Sequence, residues 1–291
     1  MEGVRVVGIT SRTISKAEKL AKNFHIKNIY ENIDNLIENC AVDALMILVS
    51  ADHIFNVTKK LLPIHIPLFI EKPPGLIPEQ TKILAKLADK NGTINMVGYN
   101  RRYYSIFHKG LEIIHKHGRL FGIAVEGHER FWKIGDSSIS EKIRENWIYA
   151  NSTHTIDLLN LFGGGVKKIN ALKNNFKEKN GDQFAVALEF ETGVIGTYTS
   201  HWYSPGGWSV KLYGDGITVV FEPLEAGVWI DKDFQKYKID PDKIDIKFKP
   251  GFFQQMEAFI NMVKTGKLEH PGMSLENALK TMLLAEKFVN A

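Results

Sequence analysis

Phe69-Ile70-Glu71-Lys72-Pro73-Pro74-Gly75 runs from an apolar segment straight into an acid, a base and two prolines. Neither proline can donate to a ladder and each fixes its own φ, so a strand has to stop before them. Lys72 is thereby set at a strand's carboxyl end. In an open parallel sheet, ligands sit at those ends, so this lysine is expected to face a cleft.

Working outward, residues 4–10 form a β-branched run. Ser15-Lys16-Ala17-Glu18 then has the pattern of a capping box, opening a helix with Ala17, Leu20, Ala21 and Phe24 on one face. Residues 44–49 are continuously apolar, as in a strand buried on both faces, and a helix is expected over 52–62. Strand 68–70, helix 78–90, the Asn91-Gly92 stop and strand 93–97 complete the series. Strands alternating with helices of this length predict a parallel, doubly wound sheet with right-handed crossovers.

After Tyr99 the rhythm changes. A helix over 105–116, a strand over 122–128 and a helix over 155–162 precede two hairpins, 183–191 with 194–202 and 208–213 with 217–221, turning at Thr192-Gly193 and Gly214-Asp215-Gly216. Two helices follow, 252–264 and 274–290, the second with Leu279, Met282, Leu283 and Phe288 as buried candidates. The expected division is 1–98 for a dinucleotide-binding domain and 99–291 for an α+β domain with a large, mostly antiparallel open sheet.

The 291 residues are 44% hydrophobic and 24% charged, ordinary for a globular protein with two cores. The formal charge of +4 is spread among mixed signs, which argues against nucleic acid as a partner. No apolar run reaches the ~18 residues of a membrane span, and no signal peptide precedes the first strand. The single cysteine, Cys40, excludes an internal disulfide and suits a reducing cytoplasm. No metal signature is present, since no His-x-x-x-His comes with a carboxylate and His115 and His117 are too close on one helix.

Taken with Gly98-Tyr99-Asn100-Arg101-Arg102-Tyr103 and His154-Thr155-Ile156-Asp157-Leu158-Leu159, the Glu71-Lys72-Pro73 segment makes the chain resemble the Gfo/Idh/MocA family of nicotinamide-dependent sugar oxidoreductases. The resemblance implies that Lys72 sits between nicotinamide and substrate and that His154 handles the proton of the reacting hydroxyl. Hydride transfer from a carbinol carbon requires that proton to leave, and histidine meets the need for a base of near-neutral pKa. Many members carry an aspartate four residues before this histidine, where this chain has Ala150. Asn151 is the nearest polar neighbour; it can orient a hydroxyl but supplies no charge.

On the cofactor side, Ser11 and Arg12 match the place of the acidic ribose ligand. A hydroxyl and a guanidinium suit a 2′-phosphate instead, so NADP is expected over NAD. Ser50, Ala51 and Asp52 resemble the family's turn beside the pyrophosphate and ribose, while Glu71, Lys72 and Asn100 fall toward the nicotinamide. No Gly-x-Gly-x-x-Gly occurs; Gly163-Gly164-Gly165 follows a helix and reads as its C-cap. By comparison with the family pattern, the first strand and its glycine turn would precede Val4. The expectation is therefore an incomplete Rossmann-type sheet in an N-terminally shortened chain that binds NADP poorly.

Trp147, Tyr149, Trp202, Tyr203 and Trp208 are candidates to cover the apolar face of a sugar, with Trp147, Trp202, Asn151 and His154 foremost. Arg101 or Arg102 would take an acidic group. The leading function is hydride transfer to or from a sugar, sugar acid or nucleotide-linked sugar. Beside it stand a catalytically silent sugar-binding homologue and a structural subunit. The resemblance also implies a homodimer or homotetramer formed through the open face of the second sheet.

Overall fold

Regular structure begins with strand β1, Gly8–Thr10, followed by helix α1, Ile14–Phe24, strand β2, Asn28–Tyr30, and helix α2, Ile33–Asn39. β1 and β2 pair in parallel, Gly8 beside Asn28 and Thr10 beside Tyr30. They belong to the first of two units into which packing divides the chain, Met1–Leu45 and Met46–Ala291. The computed structural model describes residues 1, 3–134 and 139–291.

Helix α1 differs in detail from its sequence pattern. It starts at Ile14 with Thr13 as N-cap, so Ser15 lies inside the first turn and caps nothing. Ala17 and Ala21 are buried, but Leu20 and Phe24 are exposed. At 3.6 residues per turn Leu20 lies about 60° round from Ala17, off the packed face, while Phe24 is the last residue of the helix.

In the second unit, β3 (Leu45–Ile47), α3 (Ala51–Leu61), β4 (Leu68–Ile70), α4 (Pro78–Asn91) and β5 (Asn95–Val97) alternate, and the strands lie in the order β3-β4-β5. β4 pairs with β5 in parallel and is buried along its length. The apolar run through β3 predicted cover on both faces, yet Met46 and Leu48 are exposed while Ile47 is buried. Successive side chains point to opposite faces, and only the Ile47 face is packed. α4 ends as expected on Gly92, at φ 60°.

From α5 (Ser105–His117) onward the pattern is α+β. Strands β6 (Leu120–Gly127), β7 (Val166–Asn174), β8 (Gln183–Phe190), β9 (Ile195–His201), β10 (Trp208–Gly214), β11 (Ile217–Phe221), β12 (Gly227–Asp231) and β13 (Lys236–Ile239) form one eight-stranded sheet, ordered β13-β12-β11-β10-β6-β9-β8-β7. Its pairs are antiparallel except β6 with β9, which run parallel. The helices of this part are α6 (Glu141–Glu145), α7 (Thr153–Gly163), α8 (Lys243–Lys247), α9 (Phe252–Thr265) and α10 (Leu275–Val289).

One face of the sheet carries the core, where α5, α7 and α10 pack against Val186, Phe190, Tyr198, Leu212 and Phe221. A side chain of this size buried from water contributes roughly 1.5–3 kcal/mol, so this face fixes where α7 lies. In α10, Met282 and Phe288 are buried as predicted, whereas Leu283 is exposed and Leu284 takes the inward position. The other sheet face stays open, with Ala185, Ala187, Ile195 and Thr197 on it exposed. Among the described residues no helix is long and apolar enough to cross a membrane.

Candidate active site

The two prolines act as the sequence requires: pairing stops after β4, where the Glu71 amide still donates to the Ile47 carbonyl at 2.9 Å. Lys72 follows, before a cis bond to Pro73. Its Nζ donates to the Ala150 carbonyl at 2.6 Å, reaching across to the segment that leads into α7. That segment, Ile148–Ser152, is a single turn of π-helix, a widened turn often found at functional sites.

His154 sits in the first turn of α7, 8% exposed, with its Nδ1 buried and without a hydrogen-bond partner. Tyr99 meets its ring edge-on, with centroids 6.1 Å apart, and Trp208 lies 6.0 Å away on a tilted plane. Burial is the main cause holding the imidazole well below its ordinary pKa, and the charges of Lys72, Arg101 and Lys249 add to it. It is therefore neutral at physiological pH, and a weaker base than the near-neutral one expected from the sequence, because burial and three neighbouring cations disfavour its charged form.

Lys72 is itself lowered, to about 8, first by removal from water and then by Arg101, while Glu71 and Glu129 pull the other way. Glu71 is raised by burial, against the influence of Lys72 and Lys249. The end of β5 fits closely around this pair: a Cβ on Gly98 would lie 3.1 Å from the Phe69 ring and 3.2 Å from a Glu71 carboxylate oxygen. Only glycine leaves both in place.

Arg101 and Arg102, adjacent in sequence, have different fates. Arg102 is bidentate to Asp157 at 2.6 and 2.8 Å and also donates to the Pro271 carbonyl, so its donors are committed inside the protein. Thr281 of α10 donates to the same Asp157 at 2.9 Å. Arg101 lies with its guanidinium 4.5 Å over the Trp208 ring, and its buried Nε has no partner.

The remaining sequence candidates spread out. Trp202 is 3% exposed, stacked on Phe131 and donating to Ser200, which makes it core. Trp147 packs edge-on against the same Phe131. Asn100 is buried and donates to the Pro250 carbonyl. Asn151 donates to Glu129 at 2.9 Å. Ser50 caps the start of α3, which begins at Ala51, and its hydroxyl donates to Asp52 at 2.7 Å. Ser11 and Arg12 follow β1 in the first unit, where the Ser11 hydroxyl accepts from the Thr13 amide.

The structure thus gathers Lys72, His154, Arg101 and, through Glu129, Asn151. It adds Glu129, Tyr99, Lys249 and Trp208, of which Tyr99 lay in a segment quoted for the resemblance and Trp208 was one aromatic among five. A lone glutamate after a strand, or a lysine before a proline, gives no local signal, because its role comes from contacts more than twenty residues away.

The first 99 residues match the model of an oxidoreductase family with an NAD-binding Rossmann fold, and residues 122–220 match the Gfo/Idh/MocA C-terminal domain. No curated protein matches the chain. Among solved structures, an oxidoreductase from Agrobacterium radiobacter in complex with NAD+, L-tartaric acid and magnesium is similar at 14% identity and a TM-score of 0.80, over 99% of this chain and 90% of that one. UDP-N-acetylglucosamine 3-dehydrogenase from Acidithiobacillus ferrooxidans is similar at 15% identity and 0.78, over 98% and 89%. Levoglucosan dehydrogenase with NADH and levoglucosan is similar at 14% and 0.81, over 98% and 87%. These likenesses carry the fold, and the two matched models carry the kinship: the chain belongs to the Gfo/Idh/MocA family of oxidoreductases, whose amino-terminal part is an NAD-binding Rossmann fold.

Proposed function

We propose that the protein is a dehydrogenase moving a hydride between NADP, in preference to NAD, and a carbinol carbon of a sugar, sugar acid or nucleotide-linked sugar. One observation carries this reading: a neutral, buried His154 with an orphaned Nδ1 lies in the same site as the Lys72 ammonium. Nδ1 of His154 and Nε of Arg101 are buried polar atoms without protein partners, so the residues present suit a polar occupant at the nicotinamide end.

When bound, the nicotinamide supplies the acceptor or donor of the hydride. Glu71, Lys72 and Asn100 would hold its end of the cofactor, Ser50, Ala51 and Asp52 the ribose and pyrophosphate, and Ser11 with Arg12 the 2′-phosphate. In the oxidising direction the C–H electron pair leaves as hydride and the O–H proton passes to His154; in reduction His154 returns it. The Lys72 ammonium donates to the same substrate oxygen and stabilises negative charge that develops there. Arg101 pairs with a carboxylate or phosphate of the substrate, and its stacking on Trp208 keeps the fork in one orientation. The tartaric acid and UDP-sugar named for two similar structures suit such a cation.

We also assign the protein to the cytoplasm, and a second copy to the open sheet face, on which Ile195, Phe121 and Leu172 are exposed. Fluorescence titration with NADPH and NADH, followed by a panel of neutral sugars, uronates and UDP-sugars, tests the main reading. The expected result is binding of NADPH ahead of NADH, weak in this chain, with turnover of an anionic sugar. Sugar binding without binding of either nucleotide would favour a catalytically silent homologue.

A further inference from the structure

Glu129, two residues past the end of β6, is 4% exposed, and each of its carboxylate oxygens is occupied. Oε2 accepts from the Asn151 side-chain amide at 2.9 Å and Oε1 from the Ser152 hydroxyl at 2.7 Å. Those donors are the two residues directly after Ala150, whose carbonyl holds the Lys72 ammonium. The carboxylate and the ammonium are therefore fastened to consecutive residues of one turn, from two different strands.

Neither of these donors carries a charge. A carboxylate taken out of water at this depth is costly unless a positive charge lies nearby. Burial pushes the Glu129 carboxyl up, and the Ser152 and Asn151 bonds and the Lys72 charge oppose that. Glu129 in turn favours the charged forms of Lys72 and Arg101. The other charged groups bearing on Lys72 are Glu71, which adjoins it in the chain, and Arg101; His154 and Lys249 complete the set through their own couplings to this cluster.

We propose that Glu129 is a positioning carboxylate for Lys72: from the β6 side it is fastened to the two residues that follow the Ala150 carbonyl, and it places a negative charge near the ammonium without a direct ion pair. It acts as a positioning residue. Without it, burial and Arg101 would leave a larger share of Lys72 unprotonated near neutral pH, and a neutral amine could not stabilise charge on a substrate oxygen. The inference rests on Lys72 and His154 being the reacting pair.

The test needs neither substrate nor cofactor. Protein labelled with 13C and 15N in lysine is titrated by NMR, with the Lys72 signal assigned by its loss in Lys72→Met and each variant's fold checked by near-UV circular dichroism. Glu129→Gln keeps the shape and removes the charge, so the Lys72 midpoint should fall by about half a pH unit or more. Glu129→Asp keeps the charge and shortens the reach, so it should stay closer to the parent. Ala150→Asp should raise the midpoint in the parent and restore it in the Glu129→Gln background. A folded Glu129→Gln protein with the parent's midpoint overturns the proposal, as does an equal fall in the Asp variant. If the Gln variant does not fold, an unmoved midpoint in Ala150→Asp overturns it. An inert sugar panel beside a Lys72 midpoint that follows Glu129 would remove the oxidoreductase reading and leave only the charge coupling between Glu129 and Lys72.

Discussion

Replacing Lys72 with methionine should make the protein more stable near neutral pH while removing its activity. The side chain stays long and flexible but loses the charge that the site holds out of water. A fall of the Lys72 pKa from 10.5 to about 8 corresponds, at about 1.4 kcal/mol per pH unit, to a cost of about 3 kcal/mol for keeping the ammonium charged. Methionine also gives up the bond to the Ala150 carbonyl, and a hydrogen bond to a charged group is worth about 2 kcal/mol. About 1 kcal/mol of stabilisation should remain. Its pH dependence is the sharper signature. Between about 8 and 10.5 the unfolded chain keeps the lysine proton that the folded chain has released, so the parent gains stability as pH rises through this window. The variant cannot gain it. Its advantage should be full below pH 8, shrink through the window and reverse above it, where only the lost hydrogen bond counts. Urea unfolding of both proteins at about pH 7 and about pH 10 measures the difference, since the other titrating groups cancel between them. A variant less stable than the parent at neutral pH, or an advantage equal at both pH values, refutes the reasoning.

His154→Ala should lower turnover by ~100-fold or more without loss of fold, because the proton acceptor goes while the neighbouring Tyr99 and Trp208 stay; steady-state kinetics on the responding sugar checks it. Arg12→Asp should reverse a preference for NADPH over NADH, read from paired fluorescence titrations, and equal preference in both proteins would place Arg12 away from the ribose. Asp157→Asn should destabilise by about 3 kcal/mol or more, because it leaves the Arg102 guanidinium buried opposite an uncharged group; equilibrium unfolding within about 1 kcal/mol of the parent would contradict this.

What the sequence shows clearly is whatever depends on local rules. The prolines after Lys72 end β4, Asn91-Gly92 ends α4, and Thr192-Gly193 turns β8 into β9, because each is decided by φ or by a missing donor within a few residues. Lys72 was marked by those prolines and His154 by the resemblance of its segment to a family, and the fold brings the two into one site. Strand β7 was missed because its Lys-Lys-Ile-Asn-Ala-Leu-Lys has polar residues on both faces, as a sheet edge allows. Met46, Leu48, Leu20 and Phe24 read as core and are exposed, since periodicity reports which face is apolar and not what covers it. Adjacent Arg101 and Arg102 are indistinguishable in sequence, and only Asp157, fifty-five residues further on, decides that the second is structural. Glu129 escaped notice for the same reason.

The link from Arg102 through Asp157 to Thr281 also bears on how the protein comes off the ribosome. Thr281 lies 124 residues downstream of Asp157, and the Pro271 carbonyl lies 169 downstream of Arg102. While α10 is still to be synthesised, the α7 helix that carries His154 lacks its α10 cover and the Thr281 bond to Asp157. Domains fold vectorially during synthesis, at roughly 5–20 residues per second, so this helix waits several seconds for its last contacts. Helix α10 also packs on α4 beside the parallel strands, so both layers take their last contacts late, and a nascent-chain chaperone has that interval in which to act.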